Sequence, residues 1–230
     1  MLIVRKLSVV AAIVTAMPAA AQSSFEGVIV FTATSAGRPA TDTMIQTTKG
    51  SMLRFETVLK PGQKEQGAMI YDFKAHTMTV LMMHEKKYMI MPIKQTETMT
   101  KAIGDVKLTK TGRTATVAGV SCQIYHASRT NERGTKEGEA CFAKGVGLAM
   151  MDIFAGMGGR GGGNSAVEAF HDLAKEDLHM LKAWELKDGS EQGTLEAVKI
   201  DRKSVDASLF AIPAGFTKVE MPSMPHPPQP

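Results

Sequence analysis

Between Phe25 and Ile93, apolar and polar residues alternate with a period close to two. That period puts successive side chains on opposite faces of an extended strand. The runs FEGVIVFTAT, TDTMIQTTKG, SMLRFET, GAMIYDF, TMTVLMM and KKYMIMPI each read as a strand. Lys49-Gly50 and His84-Glu85-Lys86 mark tight turns between them. No helical segment separates these strands, so sequence neighbours are expected to pair antiparallel. A short helix is expected between Lys94 and Ile103, then strands from Val106 to Val117.

After Gly145 the pattern changes. GVGLAMMDIFAGMG reads as a short apolar helix and GGRGGGN as a break. In SAVEAFHDLAKEDL, Val167, Phe170, Leu173, Ala174 and Leu178 fall near helical spacing, and Ser165 with Glu168 forms a capping box. HMLKAWELKDG and QGTLEAVKIDRKS read as two last strands turning at Asp188-Gly189. VDASLFAIPAGF closes with a helical turn stopped by Pro213, and the Pro-rich tail of residues 221–230 is expected to be disordered.

The N-terminus adds a compartment. Arg5 and Lys6 precede an apolar run from Leu7 to Ala16, and Ala19-Ala20-Ala21 follows. This is the layout of a secretory signal peptide, with cleavage expected after Ala21. The apolar run falls short of the roughly 20 residues a bilayer span needs. Removing 21 residues from 230 leaves 209, the size of one domain over residues 22–220. The expected product is a soluble periplasmic or secreted protein. The formal charge falls from +4 to +2 with the loss of two cations. No basic stripe interleaved with aromatics suggests nucleic acid.

In an exported chain the two cysteines, Cys122 and Cys141, point to a structural disulfide. The segment between them reads as a hairpin around RTNERG. A turn centred on Asn131-Glu132 sets the two cysteines opposite each other; one nearer Arg133 makes them a diagonal pair. Their spacing is not C-x-x-C, which argues against a redox couple.

The meander YDFKAHTMTVLMMHEKKYMIMPI, the strand ATVAGVSCQIYHA and the closing VDASLFAIPAGFTKVEMP resemble secreted bacterial proteins of the domain of unknown function 4412 family. The resemblance runs from Phe25 to about Pro222. It implies an α+β fold, in which a curved, mostly antiparallel sheet forms a half-barrel with short helices on its concave face. Periplasmic lipoprotein carriers share that form and hold acyl chains between sheet and helices. The family brings no catalytic residues.

No G-x-S-x-G elbow occurs, HEKKY lacks the second His of a zinc helix, and GMGGRGGGN lacks the G-K-[ST] of a phosphate loop. The chain therefore reads as non-catalytic, with no cofactor. Thr77–Ile93 holds Met78, Met82, Met83, Met89 and Met91 around His84. Met and His are soft-metal ligands, and Met221, Met224 and His226 add more in the tail, so a copper-binding or envelope-stress protein is one reading. Yet these Met residues alternate with ordinary core aliphatics and no metal spacing emerges. Met also suits adaptable apolar surfaces. The preferred reading is a binding protein for an apolar ligand such as lipid, acyl chain or lipoprotein. Met78, Met82, Met89 and Met91 are its expected lining, beneath helices at Gly145–Gly156 and Ser165–Leu178. A dry core filled by those helices is the competing outcome.

Overall fold

The computed structural model describes residues 25–35, 38–58, 67–93, 104–132, 134–146, 169, 172–173, 175–187 and 190–220. Its strands are β1 Gly27–Ser35, β2 Arg38–Lys49, β3 Met52–Val58, β4 Gly67–Asp72, β5 Thr77–Met82 and β6 Lys87–Pro92. Then come β7 Asp105–Val117, β8 Val120–Asn131, β9 Gly134–Lys144, β10 Leu178–Lys187, β11 Ser190–Arg202 and β12 Thr217–Lys218. A 3-10 turn at Ala207–Phe210 precedes β12. Among the described residues no helix is long and apolar enough to cross a membrane.

All twelve strands join one open sheet in the order β12-β6-β5-β4-β3-β2-β1-β11-β10-β9-β8-β7. Two meanders build it, β1 to β6 and β7 to β11. They are stitched where β1 pairs with β11, Ile29 opposite Ile200 and Phe31 opposite Ala197. Gly27 begins that seam with φ +155, and a Cβ there would strike the Asp201 carbonyl, so the close approach requires glycine. Every pairing in the two meanders is antiparallel; β12 alone runs parallel, against β6.

The main core lies on one face of the seam. Phe25, Ile29, Phe31, Ala197 and Leu181 pack with Val117, Cys122, Ile124, Cys141 and Val146. Val117 belongs to the edge strand β7, four strands from β11, yet shares this cluster, so the sheet curls towards this face. The core thus fills the concave side at the end where β1 begins and β7 finishes. On the other face, Tyr125, Ala140 and Phe142 form a second cluster with Leu173 and Leu178. Tyr125 and Phe142 meet edge to face, centroids 5.2 Å apart.

The expected α+β class is not what folds. Among the described residues 71% are strand and 6% helical, with no helix of seven residues or more. Among the described residues the fold is an all-β sheet without a helical layer. Of the segment expected as a helix over Ser165–Leu178, Ala169, Asp172, Leu173 and Lys175 are helical, whereas Leu178 opens β10. Leu173 packs on the Tyr125–Phe142 face, away from the concave core. The physical reason is pairing: the backbone of Leu178 and its neighbours finds ladder partners in Lys144 and Ala143 of β9. The expected helix at 94–103 lies outside the described residues, as do nearly all of that at Gly145–Gly156, the signal segment and the 221–230 tail.

Candidate functional site

In the β3–β6 meander, alternation separates two surfaces. On one, Phe55, Met69, Val80 and Met89 stand opposite one another in a row across four strands, and Leu53, Tyr71, Met78 and Met91 form the next row. Met82 stands opposite Gly67 and Lys87. Register continues this surface through Gln46 to Ile29, so it is the concave face. On the other surface Ala68, Ile70 and Leu81 are buried.

The two surfaces differ in what covers them. The convex one is covered over β3 to β5 by the chain's own C-terminal arm, residues 203–219, while Ile90 on β6 stays exposed. Phe210 and Phe216 pack over Ala68, Ile70 and Leu81, together with Met52, Met83 and Tyr88. Arg54, buried among them, donates to the Leu209 carbonyl at 3.0 Å and pairs with Glu56 at 2.7 Å. The arm ends on the sheet edge, where the Thr217 and Val219 N–H groups donate to the carbonyls of Lys86 and Tyr88 at 2.9 Å each.

The arm begins at a clasp. Glu26 Oε1 accepts from Lys49 Nζ at 2.6 Å and from the Val205 N–H at 2.7 Å, and Lys49 also donates to the Val205 carbonyl at 2.7 Å. The Lys49 hydrogen bond and then the Val205 N–H hold the Glu26 carboxyl below the ordinary glutamate value. Asp206 caps the following turn through the Ser208 N–H at 2.9 Å, which lowers its pKa in the same way.

The concave surface is left partly open. Leu53, Phe55 and Tyr71 pack with Phe73, Met78 and Ile93 into a closed cluster at one end. Burial raises the Tyr71 hydroxyl pKa, and that hydroxyl donates to Met69 Sδ at 3.6 Å. Beyond it, Phe55, Thr57, Met69, Val80 and Met82 line a groove of about 340 Å³. Met69 is 38% exposed despite its central strand position. Met82, Met89 and Met91 are half-buried. The lining carries one polar side-chain group, the Thr57 hydroxyl, and no charge.

The four methionines singled out in the sequence, Met78, Met82, Met89 and Met91, therefore occupy one face. Met83 lies on the other and belongs to the arm's cluster. His84 is exposed in the β5–β6 turn. Met78 faces Met91 directly across β5 and β6, which brings two thioethers together. Among the described residues no group of three or more His, Cys, Asp and Glu converges. Met221, Met224 and His226 lie outside the described residues.

Cys122 and Cys141 form a disulfide inside the main core, with Cα atoms 5.4 Å apart. The register sets Ile124, not Cys122, opposite Cys141, so the bridge is diagonal. Sequence reading missed the arm's docking. Its signals were present: Asp206 as a cap, and Phe210 and Phe216 flanking Pro213 in an apolar-rich ending.

No curated protein matches the chain. One family model matches residues 25–216, through the seam, the meander, the disulfide hairpin and the arm as far as Phe216. The chain belongs to the family described as Domain of unknown function (DUF4412).

Proposed function

We propose that this chain is a non-catalytic binding protein of the bacterial envelope, exported by its N-terminal signal, which holds the acyl chain of a lipid or lipoprotein on its concave face. One contrast carries the reading. The arm packs over Ala68, Ile70 and Leu81 on the convex side of these strands, while Phe55, Met69, Val80 and Met82 on the concave side line an open, uncharged groove. A folded chain that can cover one apolar face and leaves the other accessible has a surface suited to an apolar guest. Methionine's unbranched, polarisable side chain adapts to a flexible chain better than a β-branched wall does.

The test is native mass spectrometry of protein purified from the envelope fraction, followed by organic extraction. Co-purifying lipid or acylated peptide supports the reading, and an extract without lipid at any stoichiometry contradicts it. The Met78–Met91 pair supports a second reading, thioether binding of Cu(I). The same spectra read it: copper bound in place of lipid transfers the function to the metal.

A further inference from the structure

A second groove lies on the other surface of the sheet, over β7 to β10, and encloses about 330 Å³. In-register rows build it. Leu108, Ala127 and Gly138 stand opposite one another, with Tyr125, Ala140 and Ala183 in the next row. Phe142 and Met180 extend the apolar floor. At Gly138 a Cβ would run into the Trp184 carbonyl, so β9 and β10 approach closely and the floor drops between larger neighbours.

One end of this trough is cationic. Arg129 stands directly opposite Lys136 across β8 and β9. Like charges facing each other across a ladder destabilise it. Lys136 is neutralised by Glu185 at 2.7 Å. Glu137 and Glu139 alternate with Lys136 and Gly138, so they lean to the opposite side. They are engaged there, Glu137 with His126 at 2.8 Å and Glu139 with Arg113. Among the described residues, Arg129 has no ion-pair partner. An apolar trough of this size ending at an uncompensated guanidinium is complementary to one ligand chemistry.

We infer that this groove is a separate binding site for a single-chain amphiphile with an anionic head. The chain lies over Ala127, Ala140 and Phe142, and a carboxylate or phosphate meets Arg129. The planar guanidinium offers paired donors to either head. The site shares no residue with the concave groove and stands whether or not that surface binds lipid.

Trp184 stands opposite Glu139 and packs on the main core, so its ring lies on the other face and binding here is read by calorimetry. Laurate, dodecyl phosphate and dodecyltrimethylammonium, each below its micellar threshold, are titrated into the purified protein while the heat of binding is followed. Both anions should give saturable binding, and the tighter of the two names the preferred head group. The cationic amphiphile should give none. Arg129→Gln should weaken anion binding about tenfold, the loss of one charge-assisted contact, with an unchanged melting temperature. Arg129→Lys should recover part of it. Met82→Asp, on the concave face, should leave anion binding intact. Three results would each overturn the inference: equal response to the cationic amphiphile, no response to either anion, or unchanged affinity in Arg129→Gln.

Discussion

Leu81 and Met82 are adjacent on β5 and meet opposite surroundings. Leu81 is 1% exposed beneath Phe210 and Phe216, while Met82 borders the open concave groove. The alternation of a strand makes this difference, and the arm fixes which side is closed. Leu81→Ala removes a fully packed side chain from a site that cannot collapse, and should cost about 2–4 kcal/mol. Met82→Ala, on the half-open side, should cost less than about 1 kcal/mol. Urea denaturation of both variants measures the gap. Equal losses would mean that the concave surface is as tightly packed as the convex one.

The clasp at the start of the arm predicts a pH dependence. Glu26 has its folded pKa lowered by Lys49 and the Val205 N–H, so its contribution is present above the unfolded glutamate value. It is lost as pH falls through the folded value. Glu26→Gln should therefore lower the melting temperature at pH 6 to 7. The difference from wild type should shrink below about pH 4.3, the ordinary glutamate range. A difference that stays constant down to pH 3 would show that the carboxylate charge does not hold the arm.

The disulfide closes a loop between residues 19 apart in sequence and lies in the main core. Reduction should cost about 3 kcal/mol by loop entropy alone. Denaturant midpoints with and without reductant check this. Intact mass of the unreduced protein after alkylation should show no added label.

Much of the sheet was legible because a half-buried strand writes its faces into the sequence. The runs around Ile29, Phe55, Val80 and Met89 are strands, and the turns at Gly50 and at His84–Lys86 stand as read. Counting by twos put Met78 with Met82 and Met89 with Met91, and the β5–β6 register joins the two pairs on one face. The seam of β1 with β11 was not legible, because Phe31 and Ala197 are far apart in sequence and periodicity carries no partner information. The diagonal disulfide turned on a one-residue choice of turn centre, since each residue of shift moves every opposing pair. The helical reading of Ser165–Leu178 failed at its end, where Leu178 gained ladder bonds to β9 that local spacing does not reveal. The arm was missed for a similar reason: Phe210 and Phe216 look like isolated apolar residues until the face they cover is known.

The central claim is that the concave groove lined by Phe55, Met69, Val80 and Met82 receives an acyl chain. A fluorescent fatty-acid probe titrated into the purified protein tests it most directly. The probe should bind saturably and be displaced by unlabelled phospholipid. Met82→Asp and Met69→Asp should each weaken probe binding about tenfold or more, by placing an unpaired carboxylate in an uncharged groove. Leu108→Asp in the separate groove should leave this binding in place. Both concave variants should keep a cooperative unfolding transition. Probe binding that is absent in the wild type, or unaffected in both folded concave variants, would contradict the account and leave that surface as part of the core.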